Sequence, residues 1–494
     1  MTTVCVLSGT CLAIIWREYR KKEKAESKRF TPIAPSGFFE AVKKIGGDQA
    51  PFYLWHLAQQ MGEVCFRLPI PVGIGGFHVV GDPEVARNIF MDRETSKPRD
   101  IYKVVEAGGL SKTLFSSASG SYAKSVRKTV APAFSKMEVE RMNGIALQHV
   151  DDWMKNRLKD FADKGETFDP GYEMIRLTFL IINEAAFEYK ATDEDFRAFT
   201  HHTEKINREF ALKQLTAPWR KVRSSPMLPS SLLTCDCLVL RLLFNSQFFG
   251  PFIAEVRSAV QSTSWILGYS RKLIDAYEAN PEKSLHTTII KVFSQAGFFE
   301  SKRQHESELA IWIAAGQDTT GYALSNALIE IAKQPQVQQK LREALLGSRG
   351  TNAKDISYFR NVVQECIRMT PSAAMGSARQ VGRDFQVGNG KVIPEGAICW
   401  LNQYLCNRNP EVFENPEEFR PERWDTASKA MRDAMMTFAA GPRNCPGQYL
   451  ATAEINSILP RILSEYSLEL VDEGRLEYFI TLKYRGSKVR AKKL

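Results

Sequence analysis

Near its carboxyl end the chain reads FAAGPRNCPG, from Phe438 to Gly447. One cysteine, Cys445, stands between Gly441 and Gly447, with Arg443 two residues before it and Pro446 directly after. Glycines permit tight turns and let a large flat ligand lie close to the backbone. A thiolate needs stabilisation, from a metal and from backbone N–H donors. Arg443 can hold a carboxylate through a charge-assisted hydrogen bond. A helix starting near Gln448 would aim its N-terminus at the sulfur and lower its pKa. The string suits one anionic Cys ligand on a metal macrocycle that carries carboxylates. Taken alone, a Cys in a Gly/Pro loop also reads as a plain buried thiol, so the rest of the chain has to agree.

Nine cysteines are present, an odd number, and no C-x-x-C pair occurs. A disulfide framework and a structural zinc site are both disfavoured, and a reducing compartment fits better. The seven histidines show no H-x-x-H or H-x-x-x-H spacing, which argues against histidine-rich metal chemistry. Apolar residues make up 44% and charged residues 25%, a globular balance that rules out wholesale disorder and a multi-pass membrane protein. The net charge of +10 fits nucleic acid, an anionic membrane surface or an acidic protein partner. No aromatic-basic motif supports nucleic acid, so no nucleic-acid partner is expected.

The patterning predicts a mainly α chain with small β-sheets. GDPEVARNIF (Gly81–Phe90) opens with an Asp-Pro cap signal and continues at helical spacing. Glu308–Ala332 is a long, mostly apolar helix candidate, and FRNVVQECIRM (Phe359–Met369) is another. FQVGNGKVIPEGAICWL (Phe385–Leu401) alternates and carries a hairpin signal at Asn389-Gly390. At the amino end, residues 1–16 carry no charged side chain and are followed by Arg17, Arg20, Lys21, Lys22 and Lys24. That order reads as a membrane anchor with its basic side in the cytosol, although sixteen helical residues span only ~24 Å of a ~30 Å core. Residues 17–35 then form a basic, Pro-containing hinge, and 36–494 one large body. Ser224–Gln247, rich in Ser, Pro and Leu, breaks the pattern on both sides. It reads either as an apolar flap or as an insertion foreign to the fold.

A second chemical signal lies inside the long helix, at AGQDTT (Ala315–Thr320). Asp318 and Thr319 are polar residues among apolar ones, which is costly unless they have partners or a task. Gly316 removes a side chain, so a flat ligand could lie close. Further on, Glu365 and Arg368 stand at i, i+3 on one helical face.

These strings, in this order, resemble the cytochrome P-450 family of haem-thiolate monooxygenases, in its membrane-bound eukaryotic form. The resemblance runs from Phe30 to Tyr484 and fails only at Ser224–Gln247. It implies the single-domain cytochrome P-450 fold and haem b (iron protoporphyrin IX), with Cys445 as the metal ligand. Phe438 and Gly447 would shape the loop, and Arg443, Arg379 and Arg127 would neutralise the haem propionates. Ala123 stands where the family usually has Trp, so Tyr122 would take over that contact or one contact is missing. Asn407 stands where His is common. Glu365, Arg368 and the Arg423 of PERW would form a buried structural triad. Ala315 and Gly316 would leave room for dioxygen, and Asp318 and Thr319 would manage proton delivery as the catalytic pair.

The activity so implied is insertion of one oxygen atom from O2 into a small hydrophobic substrate, by hydroxylation or epoxidation. No flavin or NADPH fingerprint occurs, so electrons would come from a separate NADPH-cytochrome P-450 reductase. Lys124, Lys128 and Arg432 are candidates for its docking face. The expected location is the endoplasmic reticulum membrane, in contact with lipid, with the body facing the cytosol. Two rivals stay open: a hydroperoxide isomerase or dehydratase of the same fold, and a non-catalytic haem-binding protein. The substrate is not readable; residues 101–119, 200–265, 311–315 and 372–375 are expected to line its pocket.

Overall fold

The structure is a computed structural model and describes residues 29–70, 77–99, 101–102, 106, 109–118, 120–216, 254–348 and 350–494. The expected anchor (1–16), the hinge as far as residue 28 and the segment Ser224–Gln247 lie outside the described residues. Among the described residues no helix is long and apolar enough to cross a membrane.

Helices carry most of the chain. Those that place the site are α1 (Pro83–Met91), α2 (Gly120–Val130), α3 (Lys136–Trp153), α4 (Pro170–Phe187), α5 (Asp193–Thr216), α6 (Ala254–Glu278), α7 (Lys302–Ala332), α8 (Ser357–Met369) and α9 (Gln448–Glu465). The axis of the fold is α7. It begins six residues before the apolar pattern, because the Ser301 side chain caps it by accepting from the Gln304 N–H at 3.2 Å. Its neighbour α4 starts on a similar device, the Asp169 carboxylate accepting from the Gly171 and Tyr172 N–H groups. The two helices pack almost backbone to backbone. A Cβ on Gly321 would stand 2.8 Å from Ile175 Cα, and one on Gly316 would stand 2.9 Å from the Ile182 side chain. Thr178 seals the crossing by donating to the Gln317 carbonyl at 2.9 Å. Around this pair α3, α6 and α9 complete the main apolar core.

The sheets are small. β1 (Cys65–Leu68), β2 (Phe77–Val80), β4 (Ser377–Gln380) and β7 (Ile398–Leu401) make a four-stranded sheet in the order β1-β2-β7-β4. Every residue of β1 and β2 is buried, since apolar clusters cover both faces of the sheet. A short β3 (Thr167–Phe168) joins β8 (Tyr466–Asp472) and β11 (Lys488–Lys493), with β11 central. β5 (Phe385–Val387) pairs with β6 (Lys391–Ile393) across the expected turn at Asn389-Gly390. The alternating run does not continue as one hairpin to Leu401. Pro394 and the left-handed Gly396 break it, and β7 pairs parallel with β2 instead. β9 (Arg475–Phe479) and β10 (Thr481–Arg485) form a hairpin against α7. Residues 29–34 are docked on the sheets: Phe30 bridges to Val392, and Ala34 N–H donates to the Arg67 carbonyl at 2.8 Å.

Candidate active site

The cysteine loop is gripped from three distant segments. Cys445 N–H donates to the Phe438 carbonyl at 2.8 Å, closing the loop on itself. Gly441 adopts φ +70°, and a Cβ there would come within 2.2 Å of the Phe90 carbonyl at the end of α1. Arg127, from α2, donates to the Asn444 carbonyl at 2.6 Å and also to its side-chain oxygen. Arg443 donates to the Ser117 carbonyl. Gly447 caps α9, and a Cβ there would meet only the Cys445 Sγ, at 3.9 Å. The helix end does pull the thiol pKa down, through the N–H of its cap residue Gly447, but it does not decide the net direction. Burial pushes the Cys445 thiol up and outweighs the Gly447 N–H and the Arg127 charge, which pull it down. A thiolate here therefore calls for a metal ion, whose charge deprotonates a coordinating thiol outright.

Beside the loop lies an unusual concentration of positive charge. Arg379 on β4 is 3% exposed, and it donates to its neighbour Ala378's carbonyl and to the Tyr102 hydroxyl, neither of them a carboxylate. One terminal nitrogen of Arg443 is buried with no hydrogen-bond partner. Lys97 donates to the Phe115 carbonyl at 2.6 Å. Burial and the guanidiniums of Arg379 and Arg443 push its pKa well below the usual lysine range. Among the described residues none of Lys97, Arg127, Arg379 and Arg443 has a carboxylate within 4.0 Å. Cations gathered in this way fit a ligand that brings its own carboxylates. Three of them carry a motif signal; Lys97 carries none, because nothing around it in the sequence has a period or a cap.

The α7 segment divides into two faces. Ala315 and Thr319, one turn apart, are accessible although most of the helix is buried. Thr319 Oγ1 donates to the Ala315 carbonyl at 2.8 Å, and the Thr319 carbonyl accepts from Ser372 Oγ at 2.9 Å. Gly316 does not open space for a flat ligand; its bare Cα faces Ile182, so its smallness serves the α4–α7 contact. Asp318 is turned to another side of the helix, toward α5 and β10. Burial pushes its carboxyl up to about 6, with Lys483 pulling down and Glu204 pushing up.

Tyr122 does not replace the usual Trp. Its hydroxyl donates to the buried Glu308 carboxylate at 2.7 Å. That carboxylate also accepts from Trp312 Nε1 at 3.0 Å and the Leu114 N–H at 2.9 Å. Ala123 is buried in the core.

Glu365, Arg368 and Arg423 do come together. Arg368 grips the Glu365 carboxylate with two donors, each at 2.9 Å, and Arg423 Nε adds a third at 2.9 Å. Trp424 Nε1 and the Arg420 N–H complete the shell. Asn407 turns out to belong to the same knot. Fully buried, it donates to the Arg368 carbonyl at 3.1 Å, and its own carbonyl accepts from Arg368 Nη1 at 3.1 Å.

Comparison with known proteins agrees with this arrangement. The family described as Cytochrome P450 matches residues 37–483. Cytochrome P450 4d8 of Drosophila melanogaster is 35% identical over 194 residues, covering 36% of this chain and 41% of that protein. Cytochrome P450 monooxygenase penB of Penicillium thymicola is 31% identical over 188 residues, covering 35% of this chain and 42% of that protein. These matched stretches thus span under half the length of either relative. The crystal structure of a cytochrome P450 (CYP102L1) superposes with a TM-score of 0.71 at 19% identity, over 94% of this chain and 99% of that one. At that identity the likeness establishes the fold, a mostly helical one with small sheets. The chain belongs to the cytochrome P450 family. Family and fold together imply haem b as the cofactor.

Proposed function

We propose that the chain is a haem-thiolate monooxygenase that inserts one oxygen atom from O2 into a small hydrophobic substrate, with electrons from a separate NADPH-cytochrome P-450 reductase. The observation that carries this reading is the pairing of one loop-borne cysteine with four neighbouring cations that have no carboxylate of their own. Haem held there supplies reductive activation of dioxygen, with a thiolate ligand favouring O–O cleavage. The chain's own residues supply placement, charge and protons.

Cys445 offers its sulfur from a loop pinned by Arg127 and by the packing of Gly441 on Phe90. Arg379, Arg443 and Lys97 would hold the carboxylates, each from a side chain already oriented by a carbonyl. Thr319 donates its own proton to the Ala315 carbonyl, which leaves its oxygen lone pairs to orient a water on the accessible face. Asp318 holds or releases a proton near neutrality because burial raises it to about 6. The Glu365 knot acts through structure alone, by tying α8 to the segment 407–424 that leads toward the cysteine loop.

Reductase docking falls to the exposed Lys124 and Lys128, one turn apart on α2, and to Arg432. Reduction should slow as salt rises; a rate indifferent to ionic strength argues against charge-led docking. Attachment to the endoplasmic reticulum membrane with the body in the cytosol rests on the amino-terminal sequence. The deciding experiment is an absorbance difference spectrum of the reduced protein with carbon monoxide. A strongly red-shifted Soret band is expected, and Cys445→Ala should abolish it. A haem signal without that shift overturns the reading.

A further inference from the structure

The carbonyls of Ala315, Gln317 and Thr319, two residues apart on α7, each accept from a side-chain hydroxyl. The donors are Thr319 Oγ1, Thr178 Oγ1 of α4 and Ser372 Oγ, from the turn that follows α8. Two residues turn a helix by about 200°, so Thr178 grips α7 from behind and Ser372 grips it from the accessible side. In a continuous helix each carbonyl already accepts from the N–H four residues on. An added hydroxyl therefore draws the carbonyl outward and tilts the axis locally. Ser372 is held firmly itself. Its carbonyl accepts from the Leu482 N–H of β10 at 2.9 Å, and the Leu482 carbonyl accepts from Asn326 Nδ2 at 2.9 Å. Asn326 and Leu482 are both buried. These bonds close a circuit from Thr319 through Ser372 and Leu482 back to α7, about two turns further along it. The turn carrying Ser372 is fixed on its other side as well. Gly376 has φ +67°, a Cβ there would stand 1.8 Å from the Leu401 carbonyl, and the Tyr404 N–H holds the Ala374 carbonyl at 2.9 Å. A half-buried serine can satisfy its hydroxyl with water. Here the hydroxyl is aimed at the carbonyl of the same residue that presents its own side chain to the accessible face.

We propose that Ser372 is a positioning residue of the site: by holding the Thr319 carbonyl it fixes the accessible face of α7, and with it the Thr319 hydroxyl, for the reaction. The inference rests on the monooxygenase reading and deepens it. Ser372 acts through Thr319 and not on the substrate. Two outcomes are open once O2 has taken up two electrons and two protons. If the O–O bond breaks, one oxygen atom enters a substrate C–H bond and the other leaves as water. If it stays whole, the same electrons and protons leave as hydrogen peroxide and the substrate is unchanged. The reductase supplies the electrons in both cases, so the tie governs the partition and not the supply. A Thr319 held at its carbonyl by Ser372 and at its hydroxyl by Ala315 keeps one orientation. A Thr319 held at one end alone does not, and the second outcome gains.

The test is a double-mutant cycle on the holoenzyme with two readouts. One is product formed per NADPH consumed, with peroxide measured alongside. The other is the infrared stretch of carbon monoxide on the reduced protein, which senses the polar groups beside that ligand. Ser372→Ala should lower the product yield roughly two- to tenfold, the factor one hydrogen bond is worth, with peroxide rising to match. It should also shift or broaden the carbon monoxide stretch in the sense that Thr319→Ala does. Ser372→Thr keeps the hydroxyl and should restore both readouts. Placed on Thr319→Ala, Ser372→Ala should add nothing further, since the two residues act as one unit. The Tm of Ser372→Ala should stay within about 1 °C of the parent, which separates positioning from general damage. An unmoved stretch and yield overturn the proposal, as does a loss that adds in full to that of Thr319→Ala. A raised KM with the yield unchanged makes Ser372 a substrate contact and overturns it too. The parent's own spectrum distinguishes the two levels of failure. A parent without the red-shifted band sinks the monooxygenase reading and this inference with it, whereas a parent with the band and unmoved variants sinks the inference alone.

Discussion

Replacing Glu365 by Ala should be among the costliest single changes outside the cysteine loop. Its carboxylate accepts five hydrogen bonds, from Arg368 Nε and Nη2, Arg423 Nε, Trp424 Nε1 and the Arg420 N–H, all between 2.8 and 2.9 Å. Glu365 and Arg368 are fully buried and Arg423 is nearly so. The substitution leaves two guanidiniums in a dry core with only carbonyls for company. An orphaned buried charge of this kind costs about 3–5 kcal/mol. With an unfolding entropy of ~2.1 cal/mol/K per residue, a chain of 494 residues gains roughly 1 kcal/mol/K on melting. Treated as one cooperative unit, the Tm should therefore fall by about 3–5 °C. Arg423→Met is the internal control. It removes one charge and leaves the two-pronged Arg368–Glu365 pair intact, so about 2 kcal/mol should go. Melting followed by circular dichroism, with guanidinium unfolding at the same pH, ranks the two variants. A Glu365→Ala protein that melts within 1 °C of the parent, or an Arg423→Met protein that is equally damaged, would refute the reasoning.

Gly441→Ala combines a left-handed φ of +70° with a Cβ placed 2.2 Å from the Phe90 carbonyl, so the loop or the end of α1 must shift. A loss of about 2–4 kcal/mol is expected, with faster haem transfer to an acceptor protein; stability within 0.5 kcal/mol of the parent would contradict it. Glu454, 3% exposed on α9, has its carboxyl raised by burial to about 8 from an ordinary value of 4.5. Between those values the unfolded chain releases this proton and the folded chain keeps it, so folding loses about 1.4 kcal/mol per pH unit as pH rises. Glu454→Gln removes that loss: its stability gain over the parent should grow from pH 5 to pH 8 and vanish at pH 4, and a pH-independent difference would be the contrary result.

Features fixed by local chemistry could be read from the chain. The cysteine loop, the α7 polar insert and the E-x-x-R pair each depend on residues a few positions apart, so their strings carry the information. What stayed hidden depends on contacts far apart in sequence. Gly316 looked like space for a ligand, and only the position of Ile182 on α4 shows what it accommodates. Tyr122 looked like a stand-in for Trp until Glu308, 186 residues away, took its hydroxyl. Lys97 and Asn407 have no periodic or capping signature; one is recognised by the charges around it, the other by Arg368. The neighbouring positions Asp318 and Thr319 read as one functional pair, whereas the helix turns them to different sides.

The grip on the cysteine loop has a consequence in time. Arg127 and Asn444 are 317 residues apart, and Ser117 and Arg443 are 326 apart. At a synthesis rate of ~5–20 residues per second, the ribosome needs roughly 16–65 s to travel between such partners. For that interval the basic end of α2 has no loop to hold. Completion of the metal-binding centre is thus postponed to the last stage of translation, and a nascent chain that ends before Gly441 carries Lys97, Arg127 and Arg379 but neither Arg443 nor Cys445.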